Sequence, residues 1–309
     1  MNGKERGFRK SRRPLRLVED KMKALKKALR CLPDSAYVKM VYYKHFKKFP
    51  NLKNPKTLNE KIQWLKLHDH RPEYSRMVDK IEAKKYVAEI IGEEYIIPNL
   101  GVWDRAEDID FDSLPDQFVI KCNHDSHGVV VCKDKSSLDF SAVKEKLAGR
   151  LKVNGYWYAR EWPYKAVRPR ILAEEYLSDS DDGQDLNDYK FYCFGDYVDS
   201  VMMCIERGTG NPKFYFFDRD WKLKRYNKRG KEAPEGFTLP KPPNMDRMFE
   251  IAGKLAKAVN APFLRVDLYN VQGKIYFGEL TLYPSGGFDE NRLPETDLYF
   301  GSLVKLPRP

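Results

Sequence analysis

The sequence predicts an α+β protein whose helices are grouped ahead of a mostly antiparallel strand region. Apolar residues recur at three- and four-residue spacing over the first ~90 residues, the period of a helix with one buried face. From Tyr95 onward, short alternating runs bounded by turn residues replace that period. With 19 Tyr, 17 Phe and 5 Trp, the chain can bury a sizeable core although only 42% of its 309 residues are hydrophobic.

Residues 1–14 are rich in Lys and Arg, end at Pro14, and read as an unstructured arm. Leu15, Val18, Met22, Leu25, Leu29 and Leu32 then form an amphipathic stripe that Pro33 ends. This helix either docks on the body or lies on an anionic membrane surface or a partner. Ser35 is placed to cap a second helix running to Phe49. Thr57-Leu-Asn-Glu60 is a capping box for a third, with Leu58, Ile62 and Leu65 on one face. A fourth is expected from Ser75 to Ile91, stopped by Gly92.

Tyr95–Pro98 and Gly101–Asp104 read as short strands. Gln117–Lys121 and Val129–Lys133 read as a hairpin around Asn-His-Asp-Ser-His-Gly. A helix is expected over 141–152 and a strand over Ile171–Leu177, followed by a polar loop. Tyr189–Phe194, Val198–Ile205 and Lys213–Phe217 form a meander. Met245–Val259 is helical, and Phe263–Tyr269 with Lys274–Leu282 makes a last hairpin around Val-Gln-Gly.

The formal net charge of +11 is unevenly placed. Residues 1–56 carry 18 basic and 4 acidic side chains, net +14; the rest carry 38 and 41, net −3. A basic arm on a slightly acidic body argues against a nucleic-acid-binding protein, and the aromatics sit in strands rather than among the basic residues. No apolar run approaches the ~18 residues of a membrane span, and the basic start has no apolar stretch of a secretory signal. Five irregularly spaced Cys suit a reducing compartment, so a cytoplasmic location is expected.

Arg265-Val-Asp267 and Glu279-Leu-Thr281 carry the most chemistry. Side chains alternate along a strand, so Arg265, Asp267 and Tyr269 share one face, as do Glu279 and Thr281. Counting back from the Gln272–Gly273 turn sets Asp267 about opposite Glu279. Facing carboxylates destabilise a hairpin without a cation. With an Arg beside them they suit Mg²⁺, which binds one or two carboxylates together with phosphate oxygens and water. The alternative is a surface ladder of acidic residues.

Lys121 ends an apolar strand beside a Gly-containing turn whose N–H groups could cover phosphate, although nothing reads as a Walker A motif. Cys122, His124, His127 and Cys132 offer a zinc reading there, but their spacing fits no common zinc module. Lys190, in Asp188-Tyr-Lys190, is a further phosphate contact or a lysine reaching for water. Asp179-x-Asp181 has the form of a glycosyltransferase metal motif, set in a loop that reads as a linker. No GxSxG and no activated Cys is apparent.

Asp79-Lys80, Phe118–Lys121, Glu174–Leu177, Asp188-Tyr-Lys190, Arg265-Val-Asp267 and Glu279-Leu-Thr281, in that order, resemble the ATP-grasp superfamily. "TLNEKIQWLKLHD", "DKIEAKKYV", "FVIKCNHDS", "LNDYKFYCFGD" and "RVDLYNVQGKIYFGELTLYPSGGF" resemble its TupA-like family over residues 35–305. That family is named for teichuronopeptide biosynthesis and often found with bacterial capsule and surface-polysaccharide genes.

The resemblance implies an ATP-grasp fold in which two α+β subdomains clasp ATP. Residues 1–34 would be the basic arm and helix, and 35–115 a helical region leading into the small α/β part. Residues 116–178 would be the small subdomain and 179–309 the large one with the metal site.

It implies ATP contacts at Lys80, Lys121, His124, Ser126, Glu174, Glu175, Tyr176, Leu177, Asp188 and Lys190. It also implies catalytic roles for Arg265 and Lys190, and Mg²⁺ held by Asp267, Glu279 and Thr281. Thr281 departs from the usual Asn, and a hydroxyl is a poorer metal ligand than an amide oxygen.

The implied reaction is ADP-forming ligation of a uronic acid carboxylate to an amino acid or other amine. The carboxylate would belong to an acidic surface polysaccharide or its glycan precursor. A sugar kinase and a capsule glycosyltransferase are the alternatives. The basic helix could hold the enzyme at the inner membrane face.

Overall fold

The computed structural model describes residues 29–178, 186–206 and 209–307. The amphipathic segment up to residue 28 and the Asp179/Asp181 motif lie outside the described residues. The end of that segment is seated on the body: Arg160 donates to the carbonyls of Leu29 at 2.7 Å and Leu32 at 3.4 Å. Arg160 is itself buried among the rings of Tyr37, Tyr156 and Trp157.

Helix α1 (Asp34–Phe46) starts one residue before Ser35, with Pro33 at its cap position and no capping side chain. It stops at Lys47, whose left-handed backbone turns the chain before Phe49. Helix α2 (Leu58–His68) opens on the complete capping box of Thr57 and Glu60. The single helix expected over 75–91 is two, α3 (Tyr74–Val78) and α4 (Lys80–Ile91). Asp79 divides them because its carboxylate accepts from the N–H groups of Ile81 and Glu82, capping α4. Tyr95–Pro98 is not a strand; a 3₁₀ turn occupies Glu93–Tyr95, and Ile96 makes a lone bridge to Phe277.

The remaining described elements follow in order. They are β1 (Asn99–Trp103), β2 (Phe118–Cys122), β3 (Val129–Cys132), α5 (Phe140–Leu151), α6 (Tyr156–Ala159), β4 (Ile171–Glu175), β5 (Asp188–Phe194), β6 (Tyr197–Ile205), β7 (Lys213–Phe217), β8 (Leu223–Lys224), α7 (Lys228–Glu232), α8 (Met245–Val259), β9 (Leu264–Val271), β10 (Lys274–Thr281) and α9 (Pro294–Leu303). All strand pairs are antiparallel and fall into two sheets, β1-β4-β2-β3 and β10-β9-β5-β6-β7-β8. The small sheet thus takes β1 from before residue 115.

Each sheet has one face committed to a core. Phe118, Ile120 and Cys122 alternate into the small core with Val143 and Leu147 of α5, so Val119 and Lys121 face the other way. In the large sheet Phe191, Val266 and Leu268 lie under α8, with Phe191 edge-on to Phe249 at 5.0 Å. Lys190 and Asp267, between those positions, therefore face away from α8. Helix α9, which the sequence pattern left unassigned, carries Phe300 into the aromatic cluster of Tyr192, Phe194 and Phe216.

Two glycines sit in opposite circumstances. A Cβ on Gly301 would come within 2.0 Å of the Lys56 carbonyl, where α9 crosses the start of α2; a Cβ on Gly149 in α5 would meet nothing. Gly301→Ala should destabilise by about 2 kcal/mol or more. Gly149→Ala should stabilise by about 1 kcal/mol through helix propensity. Urea denaturation of both variants checks the pair, and a neutral Gly301→Ala would contradict this packing.

Candidate active site

The large sheet brings the polar residues together by register. Lys190 lies opposite Asp267, and Asp267 opposite Glu279, making one row across β5, β9 and β10. In the next row Tyr192, Arg265 and Thr281 are aligned. Unbroken counting from the Gln272–Gly273 turn sets Asp267 opposite Gly278, so the pairing with Glu279 needs a one-residue shift. A bulge between Phe277 and Glu279 accomplishes it. Gly278 lies in that bulge, where a Cβ would be 3.1 Å from the Asp267 carbonyl.

The cations that relieve the facing carboxylates are side chains. Arg265 grips Asp267 with Nε–Oδ1 at 2.6 Å and Nη2–Oδ2 at 2.7 Å, and reaches Glu279 Oε1 at 2.8 Å. Lys190 Nζ lies 2.5 Å from Asp267 and 3.0 Å from Asp188. Thr281 donates its hydroxyl to Glu279 at 3.2 Å.

Burial, with the charge of Glu279, pushes Asp267 above its ordinary carboxylate value against the pull of Arg265 and Lys190. Burial acts the same way on Glu279, but the charges of Arg265, Lys80 and Lys190 outweigh it and hold that carboxyl at about 2. Burial would lower Arg265 and Lys190, yet their carboxylate partners raise both. The donor set, two carboxylates and a hydroxyl, is all oxygen and fits a hard divalent ion that completes its shell with phosphate oxygens and water.

The small sheet supplies a second charge cluster. Glu174 sits opposite Val119 and so shares the outward face with Lys121. Its carboxylate is ion-paired with Lys121 and, at 2.8 Å, with Lys84. Burial works against its charge, but Lys121 and Lys84 outweigh it and keep Glu174 below its ordinary value of 4.5. Lys84 also donates to Ile97 O at 2.8 Å and Asn99 Oδ1 at 2.7 Å. Lys80 donates to Asp125 O at 2.8 Å, and burial lowers its affinity for a proton.

The 123–128 turn between β2 and β3 is anchored from both sides. Asp125 accepts from the N–H groups of His127 and Gly128, and Arg150 of α5 binds its other oxygen at 2.6 Å. Asn123 holds Arg168 O and the Arg170 N–H.

Between the sheets lies a cavity of about 440 Å³. Its apolar walls are Ile97, Val119, Val131, Leu177, Leu186 and Tyr269, and its polar lining includes Lys80, Lys121, Ser126, Glu174, Glu175 and Tyr176. A slot of this size with apolar walls and ammonium groups at one side suits a flat heterocycle carrying anionic groups. His124 does not join this lining. Its ring is buried, with Nε2 2.8 Å from Val153 O.

The zinc alternative also fails on position. Cys132 pairs with Phe118, four residues down the hairpin from Cys122. Among the described residues no cluster of three or more His, Cys, Asp or Glu could hold a metal. Burial pushes the Cys122 thiol up to about 12, so it carries no ready thiolate.

Residues 60–305 match the sequence profile of the TupA-like ATP-grasp family. The chain belongs to that family. The fold is accordingly the ATP-grasp fold, here α+β with two antiparallel sheets. No curated protein matches the chain.

Similar solved structures include the ATP-grasp ligase PsnB in complex with a minimal precursor. That likeness has 12% identity and a TM-score of 0.39, over 69% of this chain and 55% of PsnB. D-alanine–D-alanine ligase from Bacillus anthracis shares 17% identity at TM-score 0.41, over 74% of this chain and 64% of that one. D-cycloserine synthetase DcsG shares 14% at 0.40, over 74% and 69%. The chain thus spans little more than half the length of PsnB and under two thirds of the Bacillus ligase. Among the described residues no helix is long and apolar enough to cross a membrane.

Lys84 escaped sequence reasoning. Lys84 follows Lys80 by one helical turn, so the four-residue spacing was a usable signal.

Two measurements follow from the charge network. Asp267→Ala leaves Arg265 and Lys190 without their main partner and should cost about 3 kcal/mol or more. Glu279→Gln, at a side chain 39% exposed, should cost about 1 kcal/mol or less. Equal losses on urea denaturation would contradict the network. Separately, Glu174 is depressed on folding, so its ion pairs stabilise the protein above pH 4.5 and are lost as the pH falls through the folded value. Glu174→Gln should flatten that acid limb of the stability profile; an unchanged limb would contradict the pairing.

Proposed function

We propose that the protein is an ATP- and Mg²⁺-dependent, ADP-forming carboxylate–amine ligase. Its acceptor is the uronic acid carboxylate of a bacterial surface polysaccharide or glycan precursor, and its amine an amino acid or similar compound. The observation that carries the reading is that the cavity adjoins the Lys190–Asp267–Glu279 row through two lining residues, Tyr269, two positions along β9 from Asp267, and Lys80, whose charge acts on Glu279, together with membership of an ATP-grasp family.

In this reading the adenine lies in the slot between Val119, Val131 and Tyr269, against the backbone of Tyr176 and Leu177. Glu175 and Asp188 take the ribose side, and Ser126 with its turn covers the phosphates. Lys80 and Lys121 balance phosphate charge. Asp267 and Glu279, with Thr281 beside them, would hold Mg²⁺, which when bound shields phosphate charge. Arg265, which bonds the same carboxylates, would turn its guanidinium to the transferring phosphoryl group.

The reaction needs no protein nucleophile. A carboxylate oxygen attacks the terminal phosphorus and the bond to ADP breaks, giving an acyl phosphate. The amine nitrogen then attacks the carbonyl carbon, the bond to phosphate breaks, and an amide remains. Lys190 and Arg265 hold the phosphoryl oxygens in place throughout, so positioning and fixed charge supply the acceleration. The net positive arm suits an acidic glycan or the inner membrane face in a cytoplasmic enzyme.

Purified protein should consume ATP with Mg²⁺ when given glucuronate or galacturonate oligosaccharides and the twenty amino acids. The product mass should rise by an amino acid less water. Lys190→Met or Arg265→Met should lower kcat about 100- to 1,000-fold. A product gaining phosphate would mean a kinase, and transfer from a UDP-sugar without ATP would mean a glycosyltransferase; either overturns the ligase.

A further inference from the structure

Beyond Thr281 the chain reverses in the turn Pro284–Gly287, where Ser285, Gly286 and Gly287 all have left-handed backbone, φ 53°, 60° and 74°. Helix α2 fastens this turn. Gln63 donates to Gly286 O at 3.0 Å and Gly287 O at 2.7 Å, and Lys66 donates to Gly286 O at 2.7 Å. The opposite wall is the segment after α6, also tied down. Lys66 donates to Ala159 O at 2.8 Å and Ser75 to Pro163 O at 2.8 Å, while Trp162 stacks on His70 at 5.0 Å.

Glu161 stands in that wall. Its Oε1 would be 3.6 Å from a Cβ on Gly286, so the carboxylate is directed at the turn. The backbone on both sides of it is pinned, yet among the described residues the carboxylate has no hydrogen bond and no ion pair. Lys66 is the nearest cation, but two of its three N–H donors go to Ala159 O and Gly286 O, and it lies over the Phe288 ring at 4.6 Å. The charged and titratable groups around Glu161 are Lys66 from α2, Glu279 from β10, Tyr283 at the start of the Pro284–Gly287 turn, and Tyr164 from its own segment.

A half-buried carboxylate without a partner is costly to keep. Burial accordingly raises Glu161 to about 7. The same burial lowers Lys66 to about 7. The carboxylate also lies within charge reach of Glu279, one of the strand residues that flank the reacting phosphate in the ligase reading.

We propose that Glu161 is the seat of the amine co-substrate, its carboxylate receiving the ammonium group against the Gly286 turn and then taking one of its protons. The freed nitrogen lone pair forms the C–N bond to the acyl phosphate carbon as the C–O bond to phosphate breaks. The second nitrogen proton leaves with the phosphate as hydrogen phosphate. This inference rests on the ligase reading and adds to it the residue that recognises the amine.

Hydroxylamine separates the two, because it is uncharged at neutral pH and traps the acyl phosphate without an ammonium acceptor. Wild type and Glu161→Gln are compared with ATP, Mg²⁺ and oligogalacturonate. Hydroxamate is followed in one arm, and coupling of ammonium chloride or the pooled amino acids in the other. Glu161→Gln should form hydroxamate within about twofold of wild type but couple ammonium or amino acid about 100-fold more slowly. Its coupling rate should lose the limb near pH 7, and Glu161→Asp should recover part of the rate.

Equal loss in both arms, or loss in neither, overturns the assignment. Hydroxamate without coupling of ammonium or any amino acid by wild type also overturns it. No hydroxamate from wild type instead brings down the ligase reading, and the assignment with it.

Discussion

The structure depends most on Asp267. Its carboxylate is buried on β9, one strand in from the edge of the large sheet, and takes two bonds from Arg265 and one from Lys190. Two cations and two carboxylates within a pair of adjacent rows come close to mutual neutralisation, which lets charged groups sit on a sheet whose other face is tightly packed. The bulge at Gly278 is part of the same arrangement, since it delivers Glu279 opposite Asp267. An uncompensated charge there would strain the whole strand order, and a phosphate or divalent ion entering the site must rearrange bonds that already exist.

The small sheet repeats the device in a gentler form. Glu174 is a buried anion with Lys121 and Lys84 beside it, while Lys80 hangs from the 123–128 turn through Asp125 O. Lys80 and Lys121 thus line the cavity as prearranged cations, and Tyr269 of the large sheet faces them two residues along β9 from Asp267. Neither cluster depends on long flexible approaches, because short strands and the capped start of α4 set each position. Such fixed charge is what phosphoryl chemistry requires of a protein.

Local pattern made much of this legible. The Thr57–Glu60 capping box, the alternation in β2 and the last hairpin around Gln272–Gly273 all depend on neighbours in sequence, and each appears in the structure, with a bulge moving Asp267 one residue onto Glu279. Where the outcome differed, a competing local bond or a distant contact decided it. Asp79 interrupts a continuous apolar period by capping α4 with its own side chain. The Tyr95–Pro98 segment has strand-like residues but no neighbour to pair with beyond Phe277. Glu161 and Lys66 were invisible because what makes them unusual is enclosure by the Gly286 turn, a residue more than 100 positions away. His124 looked like a loop ligand, but its ring turns inward to Val153 O.

The central claim is that the cavity and the Asp267–Glu279 row form one site for ATP and its metal. A crystal structure with a non-hydrolysable ATP analogue and Mg²⁺ tests it most directly. The account predicts the base between Val119, Val131 and Tyr269, the phosphates at Lys80 and Lys121, the ion on Asp267 and Glu279, and Arg265 released from Glu279. Nucleotide bound elsewhere, or Arg265 still bridging both carboxylates with no ion between them, would contradict it.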